Sequence, residues 1–359
     1  MPPFVLLEDT CSYRPCPRDD MLTDQRYREY WLEHFETHFD YIVQQAIDTY
    51  GPQRAGDAHT CRDELAKELH AIRADPARYG ELDLLVLDLV RQQKLLAYGL
   101  PDPFARAKQR ENDAMLKLYP QIVAELDSHH EEGAARALLL LVEGVFAGNI
   151  FDLGVTVTAE RFRTESPDFV QIRDDLGGKR PWLVDHYDAF AEKMLAPPAY
   201  KKAIFFLDNA GSDCILGVLP LVRWMAQRGT EVVCAANRLP ALNDVTHHEL
   251  REVLRRIGMI DKTMAEFLRK DRITVVESGG VAPLLDLRHV SAALNEAAPG
   301  ADVIFLEGMG RGVMSNFDAT FKVDAVKLCM LKDPLTAERI GGKMFDVVLR
   351  FDPAAPGPR

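Results

Sequence analysis

The chain has 359 residues, 47% hydrophobic and 27% charged, which is the balance of a folded globular protein of about two domains and excludes a disordered or fibrous chain. Its formal net charge is −12, from 43 basic and 55 acidic side chains, so it has no basic field for a nucleic-acid backbone and nucleic acid is not an expected partner. An acidic protein that binds an anionic metabolite must create positive charge locally, with a metal ion or a helix N-terminus.

The N-terminus, MPPFVLLEDT, lacks the basic start and long apolar run of a leader, and no segment reaches the roughly 20 apolar residues that span a bilayer. The six cysteines are scattered, and those in VVCAAN and KLCML read as buried small hydrophobes. Cys11 and Cys16 have no second pair or His cluster, which argues against zinc. A soluble, unprocessed protein in the reducing cytoplasm is expected.

From Asp24 to about Leu100 apolar residues recur at helical spacing, among them Tyr30, Trp31, Phe35, Phe39, Ile42 and Ile47, and this aromatic stripe reads as core. Pro101 and Pro103 interrupt the run, after which AKQRENDAMLKLYPQIVAEL and ARALLLLVEGVFAGNIFDLG continue as helices. Past Pro197 and Pro198 the texture changes to short apolar runs separated by amphipathic helices: AIFFLD (203–208), EVVCAAN (231–237), ITVVE (273–277), DVIFLEG (302–308), AVKLCMLK (325–332) and FDVVLRF (345–351). Their continuous hydrophobicity suits strands covered on both faces, with right-handed helical crossovers. The fold class is therefore α/β. Residues 1–200 are expected to form a mainly α-helical domain, and 201–359 a Rossmann-like, doubly wound, mostly parallel sheet.

Ligands bind such sheets beyond the carboxyl ends of the strands, which directs attention to the residues just after each run. The first run ends in Asp208-Asn209-Ala210-Gly211-Ser212-Asp213, and the second leads into a loop ending Asn243-Asp244 before a helix. Carboxylate and amide oxygens without neighbouring His or Cys suit a hard or borderline divalent ion such as Mg²⁺ or Mn²⁺. The alternative is an Asx turn at Asp208-Asn209 and a helix cap at Asp244. After the fourth run, Glu307-Gly308-Met309-Gly310-Arg311-Gly312 lets backbone amides approach an anion while Arg311 clasps it; the loop fits neither a dinucleotide fingerprint nor a Walker loop. Lys332 ends the fifth run as a point charge for phosphate, or as an ordinary solvated lysine. Asn149 and Asp152, in GNIFDLG, read either as a local helix cap or as one wall of a cleft. Of the adjacent His247 and His248, at most one can face the site.

Together GNIFDLG, FLDNAGSD, NRLPALNDVTHHE, EGMGRG and KLCMLK occur in the order and spacing of the DUF89 damage-control phosphatases. The chain resembles the subgroup with an EGMGR motif, which includes the phosphatase half of pantothenate kinase 4 and its stand-alone plant relatives. DPFARAKQREN (102–112), RPWLVDHY (180–187) and RIGGKMFDVVLRFD (339–352) extend the likeness over nearly the whole chain. The resemblance implies a divalent metal, typically Mn²⁺, Co²⁺ or Ni²⁺, on Asp208, Asn209 and Asp244. It also places the EGMGR motif on Glu307, Gly308, Met309, Gly310 and Arg311. The implied substrates are small phosphorylated metabolites, 4′-phosphopantetheine and its oxidised or damaged forms, or sugar phosphates in other groups; no kinase activity is implied. Leu153 stands where the family has Trp, and Arg238 where a small polar residue is usual.

The expected catalytic set is Asp208, Asp213, Asp244, Arg311 and Lys332, with Asn149, Asp152, Glu307, Gly308 and Gly310 joining Arg311 and Lys332 around the substrate. A metal-activated water oriented by Asp213 and a carboxylate nucleophile are both compatible with this set. A Rossmann-like methyltransferase and a non-catalytic metabolite-binding protein are the competing functions.

Overall fold

A computed structural model describes residues 1–128, 133–150, 169–177, 180–197 and 200–355. Helix α1 (Gln25–Tyr50) begins where Asp24 accepts a hydrogen bond from the Tyr27 amide, and α3 (Leu84–Ala97) begins where Asp83 does the same for Val86. Between them lies α2 (Ala55–Ala74). These helices bury Tyr27, Trp31, Phe35, Leu65, Leu87 and their neighbours in one apolar cluster. Helices α4 (Ala105–Ser128) and α5 (Ala134–Ile150) turn toward the sheet instead, and α5 is buried almost all round, as its continuous apolar sequence requires.

Strand β1 (Val184–Asp185) is flanked by α6 (Phe169–Gly177) and α7 (Tyr187–Leu195). The six apolar runs become β2 (Lys202–Phe206), β3 (Glu231–Ala236), β4 (Ile273–Glu277), β5 (Val303–Glu307), β6 (Asp324–Met330) and β7 (Val347–Asp352). They form one sheet in the order β1-β7-β6-β5-β2-β3-β4. From β6 across to β4 all pairs are parallel, and β7 runs antiparallel to β6. The chain proceeds from β2 outward to β3 and β4, then returns to β5 on the other side of β2. The switch point therefore lies between β2 and β5, where a crevice opens beyond the strand ends.

Alternation along β2 explains why its sequence is apolar throughout. Phe205 stacks on Phe305 within the cluster under α5, at 4.8 Å between ring centroids, while Ile204 and Phe206 pack on the opposite face with Phe4 and Leu7 from the N-terminal segment. Beyond β2, a π-helical turn at Asp213–Val218 leads into α8 (Leu219–Gln227). Helices α9 (His247–Ile260), α10 (Lys262–Arg269) and α11 (Ala292–Ala297) make the crossovers. A second π turn, Met309–Met314, follows β5, and α12 (Pro334–Arg339) follows β6. Among the described residues no helix is long and apolar enough to cross a membrane.

Candidate active site

Asp208 sits two residues beyond β2, and Glu307 is the last residue of the adjacent β5. The Asp208 amide donates to Glu307 Oε2 at 2.8 Å, which ties the two strand tips together on either side of the switch point. Asn209 donates from its backbone amide and its side chain to Asp213 Oδ2, at 3.2 and 3.1 Å, and from its side chain to Asp208 Oδ2 at 3.1 Å. Those bonds fix the rotamer of the amide. The loop after β3 reaches back as well, with Asn209 and Asp244 bridged backbone to backbone and the Val245 amide bonded to the Asp208 carbonyl at 2.9 Å.

That loop contains Leu242 in the left-handed region, at φ 50°, a conformation a branched side chain adopts only where its surroundings enforce it. Asp244 is not a helix cap. Thr246 caps α9, in a capping box with Glu249, so the Asp244 carboxylate is left for the site, where it accepts from Asn237 Nδ2 at 2.9 Å. Gly308 has φ 94°, and a Cβ there would lie 2.2 Å from the Asp208 carboxylate; only glycine lets β5 turn away at this point. A Cβ on Gly310 would stand 2.8 Å from the Pro283 carbonyl oxygen.

Four buried carboxylates thus converge, Asp208, Asp213, Asp244 and Glu307. Two cations accompany them. Arg311, almost wholly buried, is bonded through Nη1 to Asp208 and through Nη2 to Asp244 at 2.8 Å. Burial opposes its charge, but Asp244 and Asp208 outweigh that and hold the guanidinium above its ordinary pKa. Lys332 is buried beyond β6 and favours the ionised forms of Asp208 and Asp213. Against this, desolvation pushes Asp208 up to about 8, Asp213 upward, and Glu307 well above the carboxylate range.

Fully ionised, the cluster would carry two negative charges in excess of its two cations, a deficit one divalent ion would fill. Oxygens of Asp208, Asp213 and Glu307 lie within 4.8 Å of one another, and Asp213 Oδ1 is buried and meets no hydrogen-bond donor among the described residues. The donor set is all oxygen, so the residues fit a hard or borderline divalent cation.

A cavity of about 140 Å³ opens onto one side of this cluster. Asp208, Asn209, Asp244, Gly310 and Lys332 line it; Asn149, Asp213, Glu307, Gly308 and Arg311 do not. Asn149 is fully buried behind the carboxylates, donating to Asp213 Oδ2 at 3.0 Å and Glu307 Oε1 at 3.2 Å, while its own oxygen accepts from the Met330 amide at 3.1 Å. It joins β6 to the acidic cluster rather than facing the cavity. Asp152 and Leu153 lie outside the described residues. His247 is buried with Nδ1 3.2 Å from the Asn237 carbonyl oxygen, and neither it nor His248 lines the cavity.

Several site residues carried no chemical signal of their own in the sequence. The opposite wall of the cavity is helical, formed by Trp31, His34, Phe35 and His38 of α1 with Asp88 and Arg91 of α3, so part of the stripe read as core faces the cavity. On α4, Lys108, Glu111 and Asn112 recur at i, i+3 and i+4 and share one face. Asn112 accepts from the Gly211 amide at 2.8 Å and Glu111 from Ser212, while Lys108 bridges Asp102 and Glu249 at 3.0 and 2.8 Å. All four charged or amide positions, Asp102 included, fall in DPFARAKQREN, and their spacing was the available clue.

An α/β sheet with an acidic, cation-balanced cluster at its switch point, under a helical cover, suits an enzyme that holds a divalent ion against an anionic ligand, and it lacks the glycine fingerprint of a dinucleotide binder. Residues 34–348 match the damage-control phosphatase ARMT1-like domain, and the chain belongs to that family of phosphatases. It is 34% identical to a damage-control phosphatase of Arabidopsis thaliana, over 95% of this chain and 94% of that protein. It is 39% identical to pantothenate kinase 2 of the same plant and 32% identical to 4′-phosphopantetheine phosphatase of Mus musculus, across 98% and 97% of this chain. The chain spans less than half the length of those two, 42% and 48%. A DUF89 protein of Pyrococcus horikoshii shares the fold, with a TM-score of 0.61 at 18% identity, covering 89% of this chain and 96% of that one.

Proposed function

We propose that the protein is a divalent-metal-dependent phosphomonoesterase whose substrate is 4′-phosphopantetheine or one of its damaged forms. The observation that carries this reading is the buried cluster of four carboxylates and two cations at the floor of a cavity, beyond the switch point of the sheet. The choice of substrate is supported by the mouse relative's name, and Trp31, Phe35 and Leu84, among the polar side chains of the helical wall, offer apolar surface to an alkyl chain.

Asp208, Asn209 and Asp244 are the proposed ligands, because they are the two carboxylates of the buried cluster that reach the cavity wall together with the Asn209 amide bonded to Asp208. A bound Mn²⁺, Co²⁺, Ni²⁺ or Mg²⁺ supplies Lewis-acid polarisation of the phosphoryl oxygens. Asp213 and Glu307 stand behind, orienting Asn209 and the Asp208 backbone through the bonds described above. Lys332, on the cavity wall, neutralises phosphate charge. Arg311, expected at the phosphate, is engaged with Asp208 and Asp244; its role here is to hold these two carboxylates in place, and through them to tune the site. A second reading, with the ion deeper on Asp208, Asp213 and Glu307, is favoured by their mutual proximity.

The test is hydrolysis of p-nitrophenyl phosphate, 4′-phosphopantetheine and a hexose phosphate after chelation and re-addition of each metal. Loss on chelation, recovery with a divalent ion and a preference for 4′-phosphopantetheine are expected. Preference for the hexose phosphate would transfer the protein to sugar phosphates, and inertness with every ion would remove the phosphatase reading. Comparing metal affinity in Asp244→Asn and Asp213→Asn separates the two ligand sets.

A further inference from the structure

The two loops that carry the proposed metal ligands follow different strands, β2 and β3, and one helix face touches both. Lys108, Glu111 and Asn112 share that face of α4. Asn112 accepts from the Gly211 amide at 2.8 Å, and Glu111 Oε1 accepts from the amide and the hydroxyl of Ser212, each at 3.1 Å. Gly211 and Ser212 directly follow Asp208-Asn209-Ala210. Gly211 has φ 74°, and a Cβ there would run into the Glu111 carboxylate, so helix and loop pack directly on each other.

Lys108 holds the other loop. Its Nζ lies 2.8 Å from Glu249 Oε1 and 3.5 Å from the Asp244 carbonyl oxygen. Glu249 Oε2 in turn accepts from the amide and the hydroxyl of Thr246, both at 2.8 Å. The Lys108 side chain is 1% exposed, and Asp102, at 3.0 Å, is its second carboxylate. Burial opposes the charge of this ammonium, but Glu249 and Asp102 outweigh it.

A helix turn is a stiff spacer of about 5–6 Å. With Lys108 bound to one loop and Glu111 and Asn112 to the other, α4 sets the separation of Asp208 and Asn209 from Asp244. A divalent ion is sensitive to that separation, because oxygen ligands hold it over a narrow range of distances. None of the three side chains lines the cavity, so their route to the ion is through the loops.

We infer that Lys108, Glu111 and Asn112 are positioning residues for the metal, which clamp the Asp208–Asn209 loop and the Asp244 loop at the spacing a divalent ion needs and make metal affinity depend on the docking of α4. The inference rests on Asp208, Asn209 and Asp244 being the ligands.

The test sets Lys108→Met beside Arg223→Met. Arg223, with its side chain 8% exposed, is bonded at 2.8 Å to Asp127 and at 2.8 Å to Asp261, and so ties down α4 about 28 Å further along the helix. Each substitution strips a buried cation from two carboxylates, so both should lower the melting temperature of the chelated full chain by comparable amounts. Mn²⁺ is then titrated calorimetrically, at a temperature where all the variants are folded. Lys108→Met should bind it about 10–100-fold more weakly, the usual effect of losing a group that orients metal ligands, and Arg223→Met should bind it as the unaltered protein does. Glu111→Ala should weaken Mn²⁺ about tenfold, whereas Glu111→Gln, which keeps the acceptor, should not. Equal losses of affinity in Lys108→Met and Arg223→Met would reduce α4 to a structural tie and overturn the inference, as would unchanged affinity in Glu111→Ala. The Glu111 pair decides if Lys108→Met does not fold. Failure of the ligand assignment would appear differently, as full Mn²⁺ affinity in Asp244→Asn, and would take the inference with it.

Discussion

Replacing Arg311 with Ala is the sharpest test of how the site is balanced. The side chains of Arg311, Asp208 and Asp244 are 2%, 8% and 3% exposed, so water cannot take over the guanidinium's role once it is gone. Removing one partner of such a buried group costs about 3–5 kcal/mol, because the remaining charges are left uncompensated. At roughly 2 °C per kcal/mol, near the lower end for large domains, the chelated variant should melt about 6–10 °C below the unaltered protein. A divalent cation returns positive charge to the same two carboxylates, and an ion bound at 100 times its Kd stabilises the fold by about 2.7 kcal/mol. Saturating Mn²⁺ should therefore raise the melting temperature of Arg311→Ala by more than it raises that of the unaltered protein. Thermal melts of both proteins, with chelator and with Mn²⁺, decide the matter. If the chelated variant melts within a degree or two of the parent, or if Mn²⁺ shifts both equally, Arg311 does not hold Asp208 and Asp244 and the charge accounting is refuted.

Gly308→Ala should abolish hydrolysis and lower stability by more than about 1 kcal/mol, since it needs a positive φ and a Cβ 2.2 Å from the Asp208 carboxylate; near-normal activity would show that this turn does not shape the site. Asn149→Ala removes bonds to Asp213, Glu307 and Met330 and should lower the denaturation midpoint by the equivalent of about 2–3 kcal/mol in urea unfolding; unchanged stability would mean the bonds contribute nothing. Asp19 is pushed up to about 7 by burial, against its bond with Tyr27 and the charges of Arg339 and Arg18, and with help from Asp83. Between about pH 4, where the unfolded chain ionises, and pH 7 the folded state retains a proton that the unfolded state has lost, so stability falls as pH rises across that window. In urea melts Asp19→Asn should make that fall shallower, and an unaltered slope would contradict the assignment.

The strands, the switch-point site and the acidic tip of β2 were legible in the sequence because each depends on local pattern. A run such as AIFFL is apolar at every position only when both faces are covered, and the residues that follow such a run lie at the crevice end of the sheet. The short β1 left no pattern, because two residues cannot show a period. That FDVVLRF runs antiparallel was equally hidden, since strand direction depends on the connection and not on the strand's composition. Tertiary structure alone decided which polar residues face the cavity. Asn149, Asp213, Glu307 and Arg311 follow the same motifs as Asp208 and Lys332, yet they lie behind the wall, because the two π turns and the approach of α5 set depths that no spacing rule encodes. The helical wall is the clearest case. A helix stripe has the same 3.6-residue period whether it packs against another helix or borders a cavity, so Trp31, Phe35, Asp88 and Arg91 could be assigned only once the N-terminal helices were seen against the ends of the strands.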